Sequence, residues 1–212
     1  VATIIVLTLA LWLSSGFVLL GIVVIATLAF SLAATQLGQP RAIKGMLYAA
    51  PLLVAAGHLR GEGDHMAGFV AVCFLCAVVF ATDIGAYFVG RWLGGPKLSP
   101  TISPNKTISG AVGGLIAAMI FGTLTYVLFG LTPFWVATAL AIPLSIVSQF
   151  GDLYESSMKR TAGVKDSGKI IPGHGGVMDR VDGLLFAAFA LWLVSIAAGQ
   201  WDAPANTFFA TR

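Results

Sequence analysis

Long apolar segments separated by short polar loops constrain the fold of this chain more than any other feature. Of its 212 residues, 58% are hydrophobic and only 10% are charged, whereas charged residues make up roughly a quarter of a soluble domain. A helix of about 20 apolar residues can cross a bilayer, because all its backbone polar groups are paired within the segment. The composition therefore predicts an all-α fold, a polytopic membrane helix bundle.

The apolar segments divide into about seven predicted transmembrane helices, with breaks at clusters of Gly, Pro, Ser and charged residues. The first helix is too short to span a bilayer, which predicts an N-terminus that lacks residues, and no basic stretch precedes it as in a signal peptide. We expect residues 1–212 to form a single integral-membrane domain, with the catalytic part at about 80–185. The predicted helices cover about residues 1–13, 17–37, 45–58, 66–92, 109–129, 134–160 and 178–198.

Basic residues alternate between the predicted loops. The loops after the second, fourth and sixth helices are basic, whereas the loops between them hold Arg60 beside two acids or no charge. By the positive-inside rule, this alternation places the three basic loops at the cytoplasmic face and the C-terminus on the other side. No segment is long and basic enough to suggest a nucleic-acid partner.

The densest polar segment, Ser156–Asp182, follows the sixth predicted helix. Charge close to a bilayer usually marks a functional site. Two further polar clusters, Asp83–Arg91 and Asp152–Arg160, share its predicted membrane face. Carboxylates bind hard cations such as Mg²⁺, Lys and Arg bind phosphate oxygens, and glycines let backbone N–H groups approach phosphates. The combination favours magnesium-dependent phosphoryl or nucleotidyl transfer.

The carboxylates of the fourth and sixth helices admit two interpretations each. Asp152, Glu155 and Lys159 lie three and four residues apart and so share one helix face. Asp152 is a candidate metal ligand because it ends an apolar run, whereas Glu155 and Lys159 could form a surface ion pair. Asp83 is also a candidate metal ligand, and it could instead pair with Arg91 or with a lysine of the next loop.

The polar residues around the start of the seventh predicted helix also admit more than one interpretation. Asp179 and Asp182 could cap the helix or ligate a metal, and Arg180 could pair with them or hold a phosphate. His174, in the turn PGHGG, could serve as a phosphate donor, as an acid or base, or as a residue that ties the loop together. His58 is expected on the surface near the opposite membrane face.

The run Ser156–Asp182 resembles the signature of the phosphatidate cytidylyltransferases (CDP-diglyceride synthases). That signature is Ser-x-apolar-Lys-Arg, four residues of any kind, Lys-Asp, a Pro-x-His-Gly-Gly turn and Asp-Arg-x-Asp, and the resemblance extends upstream through DIGAYFVGR and SPNKT. One departure is ISG, residues 108–110, where the family usually has Trp-Glu-Gly. The matching positions are Ser156, Lys159, Arg160, Lys165, Asp166, Pro172, His174, Gly175, Gly176, Asp179, Arg180 and Asp182.

The resemblance implies that CTP and phosphatidic acid react to give CDP-diacylglycerol and pyrophosphate, with Mg²⁺ as cofactor. It also implies a homodimer among the lipids of a bacterial inner membrane, with the active site on the cytoplasmic face, and it favours Asp152 and Asp179 as the metal pair. The expected metal ligands are Asp83, Asp152, Asp179 and Asp182; the expected catalytic residues are Lys159, Arg160, Lys165, Asp166, His174 and Arg180; and the expected substrate-binding residues are Ser103, Lys106, Gly175 and Gly176.

Two alternative functions remain open from the sequence. A CTP-dependent membrane lipid kinase would use similar metal chemistry, because a CTP site does not fix which phosphorus is attacked. A membrane transporter should carry acids near helix midpoints and often repeated halves, whereas here the acids cluster at one face. A CDP-alcohol phosphatidyltransferase is rejected, because Phe186 and Ala187 stand where that family's motif requires Ala-Arg.

Overall fold

The computed structural model describes residue 36 and residues 54–59, 65–161, 163–164, 178–198 and 203–210. Within these ranges the chain is mostly helical, and residues 54–59 are helical as well as the labelled elements. The elements in chain order are α1 (His65–Leu93), β1 (Lys97–Ser99), β2 (Ser103–Thr107), α2 (Ile108–Leu128), α3 (Phe134–Thr161), α4 (Met178–Ala197) and α5 (Asn206–Phe209).

Three of these helices are long and apolar enough to cross a membrane. They are Met66–Leu93, Ile108–Leu128 and Phe134–Thr161, and Asp182–Ala197 is a shorter apolar helix. The polytopic helical membrane fold is thereby confirmed in its coarse form. The first two predicted helices, apart from residue 36, and most of the third lie outside the described residues. The count of seven therefore stays a prediction.

Contacts divide the chain into two compact units. The first contains Val1–Ala71 and Trp192–Ala210 with Arg212, and the second contains Val72–Leu191 with Thr211. The candidate site described below lies wholly within the second unit. The expectation of one domain with a catalytic part at about 80–185 stays a prediction.

A short β-hairpin corrects the prediction of a purely all-α chain. The antiparallel strands β1 and β2 pair Lys97 with Thr107 and Ser99 with Ser103. The sequence does not predict these strands, because strands of three and five residues are too short to show a period of two. Pro104, exposed on β2, also argued against a strand, although it is tolerated where no neighbouring strand needs its N–H.

Glycines bring α1 and α2 into backbone contact. A Cβ added to Gly114 would lie 2.5 Å from Thr82 O, and one added to Gly85 would lie 2.9 Å from Gly113 O. Such distances leave no room for a methyl group, so the two helices pack as closely as small residues allow. In a bilayer, where apolar side chains gain little by leaving lipid, close packing of this kind holds helices together.

A buried network of hydroxyl groups links α1 to α3. Thr82 Oγ1 lies 2.8 Å from Val78 O and 2.8 Å from Ser145 Oγ. Ser148 Oγ donates to Ser145 O over 3.1 Å. Thr82 and Ser145 are completely buried, so their hydroxyls need these partners.

His58 does not lie on the surface as predicted. It is 5% exposed, and its Nδ1 accepts a hydrogen bond of 3.0 Å from Trp192 Nε1 within the first unit. The prediction was wrong because the position of His58 near a helix end did not show this partner, whose indole N–H takes an imidazole nitrogen as its acceptor.

Candidate active site

A cavity of about 770 Å³ opens at the polar ends of α1 and α3 in the second unit. Its volume falls in the range of about 300–1,000 Å³ that is typical of small-molecule sites. The hairpin and the first turn of α2 complete the wall. The lining residues are Asp83, Ala86, Tyr87, Gly90, Arg91, Gly94, Gly95, Lys97, Leu98, Asn105, Lys106, Thr107, Gly110, Ala111, Gln149 and Asp152.

An ion pair between the hairpin and α3 lies in this cavity. Lys106 Nζ donates to Asp152 Oδ2, and Asp152 Oδ1 accepts a long hydrogen bond of 3.4 Å from Ser156 Oγ. Both charged side chains are about one third exposed, so they remain accessible to a ligand. The sequence predicted Asp152 as a metal ligand and Lys106 as a substrate-binding residue, and the structure brings the two together.

Asp83 lines the same cavity and is exposed to it. Its carboxylate interacts electrostatically with Asp152, Asp182 and the Lys106 ammonium. The predicted alternative pairing with Arg91 does not form, because Arg91 Nη1 donates instead to Tyr87 Oη over 3.0 Å. Two carboxylates, Asp83 and Asp152, therefore face one cavity from neighbouring helices.

The cavity also contains cations outside the set of site residues that the sequence predicts. Arg91 lies in the last turn of α1 and Lys97 begins β1, and both are exposed. Neither forms an ion pair with a described residue. The motif DIGAYFVGR, which ends in Arg91, was the available signal, because it places an Asp and an Arg eight residues apart on one long helix.

The hairpin and the start of α2 hold Lys106 in place. Thr107 caps α2, with its Oγ1 accepting from Gly110 N over 3.1 Å. Ser109 Oγ donates to Gly94 O, which ties α2 to the turn after α1. Ser103, a predicted substrate-binding residue, is half-buried on β2 and does not line the cavity.

The polar end of α3 contains a second ion pair. Lys159 Nζ donates to Glu155 Oε2 over 3.1 Å, so the pairing left open by the sequence is confirmed. It is not a surface pair, because Glu155 is only 3% exposed. Arg160 is exposed and donates from Nε to Ile102 O over 3.5 Å. Neither Lys159 nor Arg160 lines the cavity, and their catalytic roles stay predictions.

The first turns of α4 pack against α3. Gly183 lies against Ser148, and a Cβ added to Gly151 would lie 2.5 Å from the Phe186 side chain. Asp182 Oδ1 accepts from Gly183 N over 2.7 Å, and its carboxyl interacts electrostatically with that of Glu155. Asp182 thus approaches the polar end of α3, next to the cavity.

Comparison with known proteins decides the family. The model of the cytidylyltransferase family matches residues 1–197, which is most of the chain. The chain belongs to the cytidylyltransferase family. The resemblance seen in the sequence is thereby confirmed.

Individual relatives of this cytidylyltransferase-family chain carry a more specific name. It is 51% identical over 172 residues to the phosphatidate cytidylyltransferase of Brucella suis biovar 1, covering 81% of this chain and 62% of that protein. It is 47% identical over 124 residues to that of Helicobacter pylori, covering 58% and 46%. It is 46% identical over 120 residues to that of Bacillus subtilis, covering 56% and 45%. The chain thus spans less than two thirds of the length of these relatives.

Several predicted site residues of this cytidylyltransferase-family member cannot be placed. Asp179 and Arg180 lie in the first turn of α4, but the structure describes only their backbone. Among the described residues, no group of three or more His, Cys, Asp or Glu side chains is arranged to hold a metal. The residues that lie outside the described ranges are Lys165, Asp166, His174, Gly175 and Gly176.

Proposed function

We propose that this protein transfers the cytidylyl group of CTP to phosphatidic acid, giving CDP-diacylglycerol and pyrophosphate. The main support for this proposal is the match to the cytidylyltransferase family over residues 1–197. The relatives named phosphatidate cytidylyltransferase support the choice of lipid acceptor. The cavity supports the reaction type, because it combines carboxylates with three cationic side chains at the polar ends of apolar helices.

The proposed reaction needs no nucleophilic side chain. A phosphate oxygen of phosphatidate attacks the α-phosphorus of CTP, a new P–O–P bond forms, and the bond from the α-phosphorus to the β-phosphate oxygen breaks. Pyrophosphate leaves with the electron pair of that bond. Because both reactants are polyanions, the demands on the protein are to bring them together and to stabilise the charge that develops on the leaving group.

The cations in the cavity meet the first of these demands. Arg91 and Lys97 are exposed within it and free of acidic partners among the described residues, so they can donate to phosphate oxygens. Lys106 is held by Asp152 before substrate binds. A phosphate oxygen that takes over this ammonium leaves the Asp152 carboxylate available for another cation.

Magnesium is the proposed cofactor. Asp83 and Asp152 supply oxygen atoms to one cavity, which are the donors that Mg²⁺ prefers. The ammonium of Lys106 already rests on Asp152, so this carboxylate is placed to hold a cation, and the residues present fit the ion. Asp179 and Asp182 are proposed as further ligands. When bound, Mg²⁺ would neutralise phosphate charge.

The helices around the cavity suit a lipid substrate. Phe88 and Trp92, on the same helix end as Arg91, are 65% and 84% exposed, which in a membrane protein places them against lipid or at its interface. We propose that phosphatidate reaches the cavity from the inner leaflet of a bacterial inner membrane, and that CTP enters from the cytoplasm. A seven-helix protomer and a homodimer are proposed with it, on the resemblance to the family.

Product identity tests this function against its alternatives. The purified protein in detergent is incubated with CTP, phosphatidate and Mg²⁺, and the products are separated by mass. We expect CDP-diacylglycerol and pyrophosphate in equal amounts. CDP together with a newly phosphorylated lipid would show a lipid kinase instead, and the absence of any CTP turnover by the folded protein would favour a transporter.

A further inference from the structure

The side chain of Gln149 joins the cavity wall to the buried network beneath it. Gln149 lies on α3, one turn before Asp152, and lines the cavity while half-buried. Its Nε2 donates to Ala111 O over 3.3 Å and to Ser145 Oγ over 3.4 Å. Both bonds are long, but together they engage both hydrogens of the amide nitrogen.

These contacts fix which end of the amide is the nitrogen. The Ala111 carbonyl can only accept a hydrogen bond, so the atom facing it must be a donor. Ser145 is itself held, since its Oγ lies 2.8 Å from Thr82 Oγ1 and both residues are completely buried. The remaining polar atom of the side chain is the carbonyl oxygen Oε1. No described residue donates a hydrogen bond to it.

The cavity wall contains both charged and neutral polar side chains, which suit different parts of a nucleotide. Asp83 and Asp152 suit a cation, and Arg91, Lys97 and Lys106 suit phosphate oxygens. A pyrimidine base is uncharged, so it is best read by a neutral polar group. Among the described lining residues the side-chain amides are Asn105, exposed on the hairpin, and Gln149, which is held from two sides. Ala111, whose carbonyl receives the Gln149 amide, also lines the cavity.

We propose that Gln149 reads the base of the nucleotide, with its Oε1 accepting a hydrogen bond from the exocyclic amino group of cytosine. This proposal rests on the proposed function, which makes CTP the nucleotide. Cytosine presents an amino donor at the position where uracil presents a carbonyl acceptor. An acceptor that cannot turn its nitrogen toward the ligand therefore favours cytosine and leaves two unpaired acceptors facing each other when uracil binds.

The test compares three nucleotides and two variants. Steady-state kcat/KM with phosphatidate is measured for CTP, for UTP and for the triphosphate of 2-pyrimidinone riboside, which is CTP without its amino group. The wild-type protein should prefer CTP over the 2-pyrimidinone analogue by about 10- to 100-fold. In Gln149→Leu this preference, and much of that over UTP, should disappear, because leucine has similar size and no acceptor.

Ser148→Ala is the matched control. Ser148 neighbours Gln149 on α3 and is buried, but it does not line the cavity, so this variant should keep the full preference for CTP. A purely structural role for Gln149 predicts that Gln149→Leu lowers kcat/KM for all three nucleotides by the same factor, and that result would overturn the proposal. Equal kcat/KM of the wild type for CTP and for the 2-pyrimidinone analogue would overturn it as well, whatever the stability of the variant.

Direct binding separates this proposal from the proposed function. CTP, UTP and the analogue are titrated onto the wild-type protein without lipid, with dissociation constants from calorimetry. A preference for CTP that Gln149→Leu loses supports base reading even if no turnover with phosphatidate occurs. A preference for CTP that Gln149→Leu retains contradicts base reading even if turnover is normal.

Discussion

Lys106 and Asp152 form the ion pair on which the proposed chemistry depends. The pair joins the hairpin to α3 across the cavity, and both side chains are about one third exposed. In such a position, solvent screens the attraction and the net contribution to stability is small, about 0–1 kcal/mol. The pair is therefore better explained by function than by folding.

Replacing Lys106 should impair activity far more than stability. In Lys106→Met a phosphate oxygen loses a charge-assisted hydrogen bond, so kcat/KM should fall by about 10- to 100-fold. Lys106→Arg keeps the charge and should retain more activity. The measurement is pyrophosphate release from CTP, with thermal unfolding as a control for folding. Full activity of Lys106→Met would remove this residue from the substrate site.

Glu155 and Lys159 should matter more for stability, because their ion pair is buried. Lys159→Met leaves the buried Glu155 carboxyl, which also interacts with Asp182, without its cationic partner, which should cost about 3 kcal/mol. The double variant Glu155→Gln with Lys159→Met removes one of the two carboxylates and should recover part of the loss. Thermal unfolding in detergent checks both, and a double variant no more stable than Lys159→Met would contradict this explanation.

At the scale of elements, the contact between α1 and α2 depends on glycines. In Gly114→Ala the new methyl would meet the backbone oxygen of Thr82 at 2.5 Å, whereas in Gly122→Ala it meets the Val78 side chain at 2.8 Å. Alanine gains about 1 kcal/mol of helix propensity at either site, but overpacking costs about 1–3 kcal/mol or more where nothing can shift. Gly114→Ala should therefore lower the unfolding temperature clearly.

Gly122→Ala is the control for this comparison, because its methyl group meets side-chain atoms, with Val78 Cγ2 nearest, and no backbone atom. Its unfolding temperature should fall less than that of Gly114→Ala, because a side chain can adjust more easily than the backbone. Since α1 and α2 both line the cavity, Gly114→Ala should also reduce pyrophosphate release. An unfolding temperature of Gly114→Ala equal to that of Gly122→Ala would show that the two helices separate at little cost.

The sequence predicted the described long helices well and the contacts between elements poorly. The apolar runs, together with the Gly- and Pro-containing turns that follow them, placed α1 to α4 within one or two residues. The hairpin was missed because its strands are too short to show a pattern. Arg91 and Gln149 were missed as site residues because their roles depend on which helices meet, and helix spacing alone does not contain that information.

At the scale of the whole molecule, the long helices explain how the proposed site for polyanions can form on a membrane protein. At about 1.5 Å per residue, the 28 residues of α3 extend for about 42 Å, beyond a hydrocarbon core of about 30 Å. Its charged residues, from Asp152 onward, occupy the last third of that length. The cavity can therefore lie at the level of the lipid headgroups, where a phosphate of phosphatidate can reach it without crossing the core.

One measurement tests the central claim most directly. Pyrophosphate release from CTP is assayed with the purified protein, with and without phosphatidate and Mg²⁺, for the wild type, Asp152→Asn and Tyr154→Phe. Tyr154 lies on the same helix outside the cavity. We predict that wild-type release requires both lipid and Mg²⁺, that Tyr154→Phe is unchanged, and that Asp152→Asn, while still folded, loses at least about 100-fold in kcat/KM. Release by Asp152→Asn at the wild-type rate would contradict the account of this cavity as the active site.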